Sequence, residues 1–165
     1  MFVGKLKFID PRFYIQKFPG LWQFFKFAVV GVSNTIVDWL VFFLIVRFIF
    51  TDDSVETYVK VFSFLIAMLN SYLWNTIWTF KKDYKQALGD SNNLANKKGS
   101  IFAKFAVVSI VGWIINVTAF DLVRFKLSSS QIVALIAASA AATFINFFAN
   151  KFWTYRSKKL AQKNV

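Results

Sequence analysis

Four nearly unbroken apolar stretches divide this chain, near Phe27 to Val46, Val61 to Trp78, Phe105 to Val123 and Ile132 to Trp153. Each holds about 20 residues, which at ~1.5 Å of rise per residue crosses a ~30 Å hydrocarbon layer. Four transmembrane helices are the simplest account. A soluble core of this size would need polar faces to wrap it, and the windows have none broad enough.

The pattern repeats. Lys26-Phe27-Ala28-Val29-Val30 returns as Lys104-Phe105-Ala106-Val107-Val108, an offset of 78 residues. Asn75-Thr76-Ile77-Trp78-Thr79-Phe80-Lys81 returns as Asn150-Lys151-Phe152-Trp153-Thr154-Tyr155-Arg156, an offset of 75. The expected organisation is therefore a tandem duplication. Residues 1–20 form a basic amphipathic segment, 21–82 the first two-helix repeat, 83–100 a polar linker, 101–158 the second repeat and 159–165 a basic tail. Both repeats would enter the membrane from the same side, so they are parallel.

Polar positions inside the windows are few and patterned. Gly31, Asn34 and Asp38 share one face of the first helix, and Ser109, Gly112 and Asn116 take the same places in the third. Asp38 stands about 18 Å of helical rise beyond Lys26, near the bilayer centre. A carboxylate there costs roughly 2.5–3.5 kcal/mol, so it is either a substrate or proton site or a packing bond to another helix. The second helix steps through Ser63, Ala67, Ser71 and Asn75, with Asn70 beside them. That stripe reads as a packing seam except at Asn75. Trp78, Phe80 and Tyr84 read as an interfacial aromatic belt. The fourth helix is alanine-rich and carries Ser139, Thr143, Asn146 and Asn150. Lys151 either snorkels to headgroups or binds a phosphate. Asp121 and Arg124 suggest a local ion pair.

Composition agrees with the pattern: 57% of residues are hydrophobic and 20% aromatic, with a mean hydropathy of +0.50. The formal net charge of +12 does not point to nucleic acid, because the cations flank the apolar windows and form no continuous patch. Five precede the first helix, six lie between the second and third, five close the chain, and only Arg47, Lys60, Arg124 and Lys126 remain for the other two linkers. The positive-inside bias therefore makes both termini and the central linker cytoplasmic and puts Asp52, Asp53 and Glu56 outside. Met1 to Gly20 is too interrupted by charge and proline for a signal peptide and is expected either to lie on the inner leaflet or to stay solvated. No cysteine and no histidine is present. Together with the lack of metal-ligand spacing or a phosphate loop, this points away from catalysis, metals and cofactors.

The paired signatures KFAVVGVSNTIVDW with WNTIWTF, and KFAVVSIVGWIIN with NFFANKFWTY, resemble the GtrA-like family of small four-helix bacterial membrane proteins over roughly Leu21 to Lys158. The fourth helix carries the family ending as Asn150, Lys151, Trp153 and Tyr155; the second has Asn75, Trp78 and Phe80, with Thr76 where a basic residue is common. The resemblance implies a flippase in the bacterial cell membrane. It would move a polyprenyl-phosphate-linked monosaccharide outward for glycosylation of surface polysaccharide or teichoic acid, using a lipid made by a cytoplasmic-side glycosyltransferase. On that reading Lys26, Lys104, Lys151, Asn75 and Asn150 receive the phosphate inside. Asn34, Asp38, Asn116 and Asn146 line the path, and Arg47, Lys60 and Arg124 receive the phosphate outside. Four helices are few to enclose a headgroup, so a homo-oligomer is plausible. The alternatives are a noncatalytic subunit of a glycosyltransferase and a small proton-coupled multidrug exporter.

Overall fold

The computed structural model describes residues 17–49, 56–89, 93–127 and 130–156, and among them there is no strand. The greater part of the N-terminal amphipathic segment, the middle of the 47–60 linker and the basic tail lie outside the described residues. Helix α1 spans Pro19–Phe48, α2 Glu56–Trp74, α3 Lys81–Leu88, α4 Leu94–Asp121 and α5 Gln131–Ala149. Helix α1 packs mainly on α2 and α4 on α5, while α1 with α5 and α2 with α4 join the two pairs.

Local chemistry accounts for the ends. Pro19 pre-sets the first turn of α1. The Asn93 side chain accepts the Asn96 amide at 3.2 Å to start α4, and Ser130 accepts the Val133 amide at 3.4 Å to start α5. The described residues of the linker between the pairs are largely helical, with α3 formed from helix-favouring residues and α4 reaching back into it. Gly89, at φ 50°, ends α3, and Lys97 donates to the Leu88 carbonyl at 2.7 Å across the gap.

Three helical stretches are long and apolar enough to cross a bilayer: Pro19–Phe48, Leu94–Lys126 and Gln131–Thr154. The chain is a multi-pass membrane protein. Helix α2 is more polar than the sequence windows implied because it carries Lys60, Ser63, Asn70 and Ser71 within its length. The exterior is apolar, with Trp39, Phe43 and Ile136 all more than half exposed, while Ser63, Asn75 and Asn150 are buried. Lipid on one side and protein on the other explain that inversion.

Three helices end in π turns, Asn75–Thr79, Leu122–Lys126 and Asn150–Thr154. A π turn holds an extra residue, so the side chains beyond it change face. Phe80 and Tyr155 consequently point inward, 0% and 1% exposed, and stack at 4.7 Å with their planes 17° apart. Phe80 thus belongs to the core and not to the interfacial belt expected from sequence, and Tyr84 packs on Tyr155 at 6.3 Å. Trp78 keeps a surface position.

Around that stack the rings pack crosswise between the helix pairs. Phe27 of α1 meets Phe147 of α5 at 5.7 Å, and at the matched positions Phe105 of α4 meets Tyr72 of α2 at 5.4 Å. Phe24 meets Phe147 at 5.2 Å, and Phe102 meets Tyr72 at 5.0 Å. Edge-to-face pairs of this kind add to the burial of their area.

Phe105→Ala should therefore cost about 3–5 kcal/mol, seen as a large fall in the thermal unfolding temperature of the purified protein in detergent. Phe43→Ala, on the lipid-facing surface, should change it little.

Candidate functional site

All four long helices contribute to one polar furrow of about 290 Å³. Asn34 and Asp38 line it from α1, Ser71 from α2, Ser109 and Asn116 from α4, and Asn146 from α5. Its size lies near the lower end of small-molecule sites, ~300–1,000 Å³. Four of the sequence-predicted site residues meet here: Asn34, Asp38, Asn116 and Asn146. Gly112 lies directly under the Asn146 side chain, and a Cβ at Gly112 would collide with it. The Asn146 side chain can therefore occupy that position only because residue 112 has no side chain.

Asp38 lines the furrow and also bonds across to α2. It pairs with Lys60, and Ser63 Oγ donates to its second oxygen at 2.6 Å. The two readings of Asp38 open from sequence are thus both compatible with its place. Half-exposed Lys60 also approaches the Phe42 ring at 5.7 Å. Arg47 sits in the last turn of α1. Arg124 sits in the π turn after α4, 5.6 Å from the Phe125 ring. Neither lines the furrow.

A second bridge between α1 and α2 was not legible as such. Asn70 Nδ2 donates to Ser33 Oγ at 3.2 Å and to Asn34 Oδ1 at 2.8 Å. Its intramembrane amide was visible in the sequence, but its partners depend on helix rotation. Gln23 was missed altogether: its amide donates to Asp83 at 2.7 Å and to the Thr79 carbonyl at 3.2 Å, tying α1 to α3. No sequence signal marks a pair that forms only because α3 folds back.

The predicted inner cations each rest on a different aromatic group. Lys26 Nζ lies 5.7 Å from the Trp22 ring and 5.4 Å from Trp78. Lys104 Nζ lies 5.9 Å from Trp153, the matched pair in the second half. Lys151 lies 5.5 Å from Phe147 and 6.0 Å from Phe152, and a Cβ at Gly20 would stand 3.6 Å from its Nζ. Such contacts hold an ammonium without neutralising it.

Asn75 and Asn150 are each 1% exposed. Asn75 Nδ2 donates to Ser71 Oγ at 3.2 Å and Asn150 Nδ2 to the Asn146 carbonyl at 2.9 Å. Oδ1 of both has no hydrogen-bond partner, and each amide nitrogen carries a second N–H beyond the one used in these bonds. Thr76, where the family pattern favours a basic residue, bonds the Tyr155 hydroxyl at 3.1 Å. No group of three or more metal-ligating side chains occurs among the described residues.

The family described as GtrA/DPMS, transmembrane domain, matches residues 26–155. The chain is similar to a Bacillus subtilis (strain 168) membrane protein named YngA, 28% identical over 132 residues that cover 79% of this chain and 77% of that one. It is also similar to proteins named bactoprenol-linked glucose translocase from Shigella phages SfII and SfV. Each is 28% identical over 137 residues, covering 82% of this chain and 97% of the phage protein. No solved structure matches.

Gly112→Ala should displace Asn146 and lower stability by about 1–3 kcal/mol. Adding Asn146→Ser, the residue at the matched position of α2, should restore most of it; thermal unfolding of the single and double variants reads the coupling.

Proposed function

We propose that this chain, which belongs to the GtrA/DPMS transmembrane-domain family, carries a polyprenyl-phosphate-linked monosaccharide from the inner to the outer leaflet of the bacterial cell membrane. The observation that carries the reading is the furrow of amides and hydroxyls enclosed by four helices with apolar exteriors. Sugar hydroxyls need such partners within hydrocarbon, whereas an isoprenoid chain needs none. The names of the two phage relatives support the same chemical class.

On this reading all four long helices cross the membrane, both termini and α3 are cytoplasmic, and the two helix pairs are parallel units about an axis near the membrane normal. Lys26, Lys104 and Lys151 attract the phosphate at the inner face, and Asn34, Asp38, Asn116 and Asn146 replace water around the sugar. Lys60, Arg47 and Arg124 receive the phosphate at the outer end. Asn75 and Asn150 receive the phosphate with the inner lysines, each amide nitrogen having a second N–H beyond the one bonded within its helix. The protein performs no chemistry: one glycosyltransferase makes the lipid inside, and another uses it outside to decorate polysaccharide or teichoic acid.

Reconstituted into liposomes, the chain should expose a polyprenyl-phosphate hexose across the bilayer far faster than protein-free vesicles do. Lys151→Ala should slow exposure severalfold with insertion intact, and an unchanged rate would remove Lys151 from the mechanism. Absence of exposure by folded parent protein would favour the noncatalytic subunit instead.

Because the chain lacks cysteine, orientation can be read from single substitutions. Arg47→Cys should react with an impermeant maleimide from outside intact cells, and Lys82→Cys only after permeabilisation. The reverse pattern would overturn the orientation.

A further inference from the structure

A second cavity lies on the lipid side of the α1–α2 seam. It encloses about 320 Å³ and is lined by Val29, Val30, Ser33, Trp74 and Trp78. Val29, Trp74 and Trp78 are 38–47% exposed, so the groove opens to hydrocarbon. Lys26 stands one helical turn before Val29 and Val30, its ammonium 5.4 Å from Trp78. An apolar trough with a cation beside one of its walls fits a chain that carries an anionic head.

The groove and the polar furrow are separated only by the seam. Ser33 lines the groove and Asn34 the furrow, and Asn70 donates to both. Farther along the same seam, Asp38 holds Lys60 and Ser63. The α1–α2 contacts thus include hydrogen bonds and an ion pair, which sugar hydroxyls and a phosphate can replace one for one.

The other seam is built differently. Val111 and Ile145 stand at the positions matched to Ser33 and Asn70, and Leu135 and Ala138 at those matched to Lys60 and Ser63. Ala134, Ala138 and Ala142 are buried, and Gly112 sits beneath Asn146. Close packing of this kind offers a headgroup nothing in exchange for separating the helices.

We propose that the α1–α2 seam is the lateral entrance of the furrow, with the polyprenyl chain lying in the groove and its phosphate at Lys26. The sugar passes between the helices, and Asn70 is the bolt that exchanges its bonds to Ser33 and Asn34 for bonds to the sugar. This rests on the translocation reading above. Helix pair α4–α5 stays closed throughout.

The test uses the full chain in liposomes with a polyprenyl-phosphate hexose. Ser33→Cys with Asn70→Cys places the only two thiols across the seam, where the native side chains meet at 3.2 Å. Measured against its own reduced state, the oxidised protein, with the disulfide verified by mass, should expose the sugar about tenfold or more slowly, and reduction should restore the rate. Val111→Cys with Ile145→Cys, oxidised, should transport at the parent rate. Undiminished exposure through the disulfide-closed α1–α2 seam would overturn the lateral entrance. Failure of the parent itself to expose sugar would instead overturn translocation.

A binding readout separates the occupants of the groove. Polyprenyl phosphate bearing a photoreactive chain should label the Trp74–Trp78 segment in preference to a phosphatidylglycerol with the same group, and Lys26→Gln should reduce that labelling. Equal labelling by the two lipids would assign the groove to bulk phospholipid and overturn the seating of the chain.

Discussion

Hydrocarbon supplies no hydrogen-bond partners, and the architecture follows from that single fact. Amides, hydroxyls and a carboxylate such as that of Asp38, set deep in apolar helices, have to face other helices or a shared cavity. Ser63 and Asn70 of α2 serve Asp38, Ser33 and Asn34 of α1, and Ser109, Asn116 and Asn146 of α4 and α5 line the same central space. The furrow is therefore less a hole left by poor packing than the place where the polar side chains of four helices find one another. A lipid-linked sugar is the kind of guest that such a place suits, since only its head needs those partners.

The bundle divides its labour along its length. At the end carrying Lys26, Lys104 and Lys151, Phe80, Tyr155 and their neighbours form a dense aromatic core that joins the two helix pairs. Beyond it the pairs are connected less tightly and the polar furrow opens. The π turns make the first part possible, since they bring Phe80 and Tyr155 inward while leaving Trp78 and Trp153 partly exposed beside Lys26 and Lys104.

Much of this was legible in the sequence, though unevenly. The helices could be read from apolar runs because lipid imposes length and hydropathy directly. Spacing put Asn34 and Asp38 on one face of their helix, while their meeting with Asn116 and Asn146 was expected only from the family resemblance. Phe80 was misplaced, because a ring near basic residues reads as interfacial and nothing in the local pattern announces a π turn. Asn75 and Asn150 read as phosphate ligands, but their burial and their bonds to Ser71 and to the Asn146 carbonyl depend on how the helix ends turn, which the sequence does not show. Asn70 lay in plain view, but its two acceptors belong to another helix and required rotation angles. Gln23 and Asp83 stand 60 residues apart and meet only through tertiary folding.

The stack of Phe80 on Tyr155 gives α1 a mechanical property as well. With Phe27 clamped among those rings, at 5.9 Å from Phe80 and 5.7 Å from Phe147, the helix is a beam fixed at one end. At ~1.5 Å per residue the free arm from Phe27 to Phe48 is about 30 Å long, so a tilt of about 10° sweeps its tip through about 5 Å. Displacement grows in proportion to distance from the clamp. In such a tilt Asn34, which accepts from the Asn70 bolt, would move least, Asp38 farther and Arg47 farthest, so a small rotation against the rings would become a wide stroke at the opposite face.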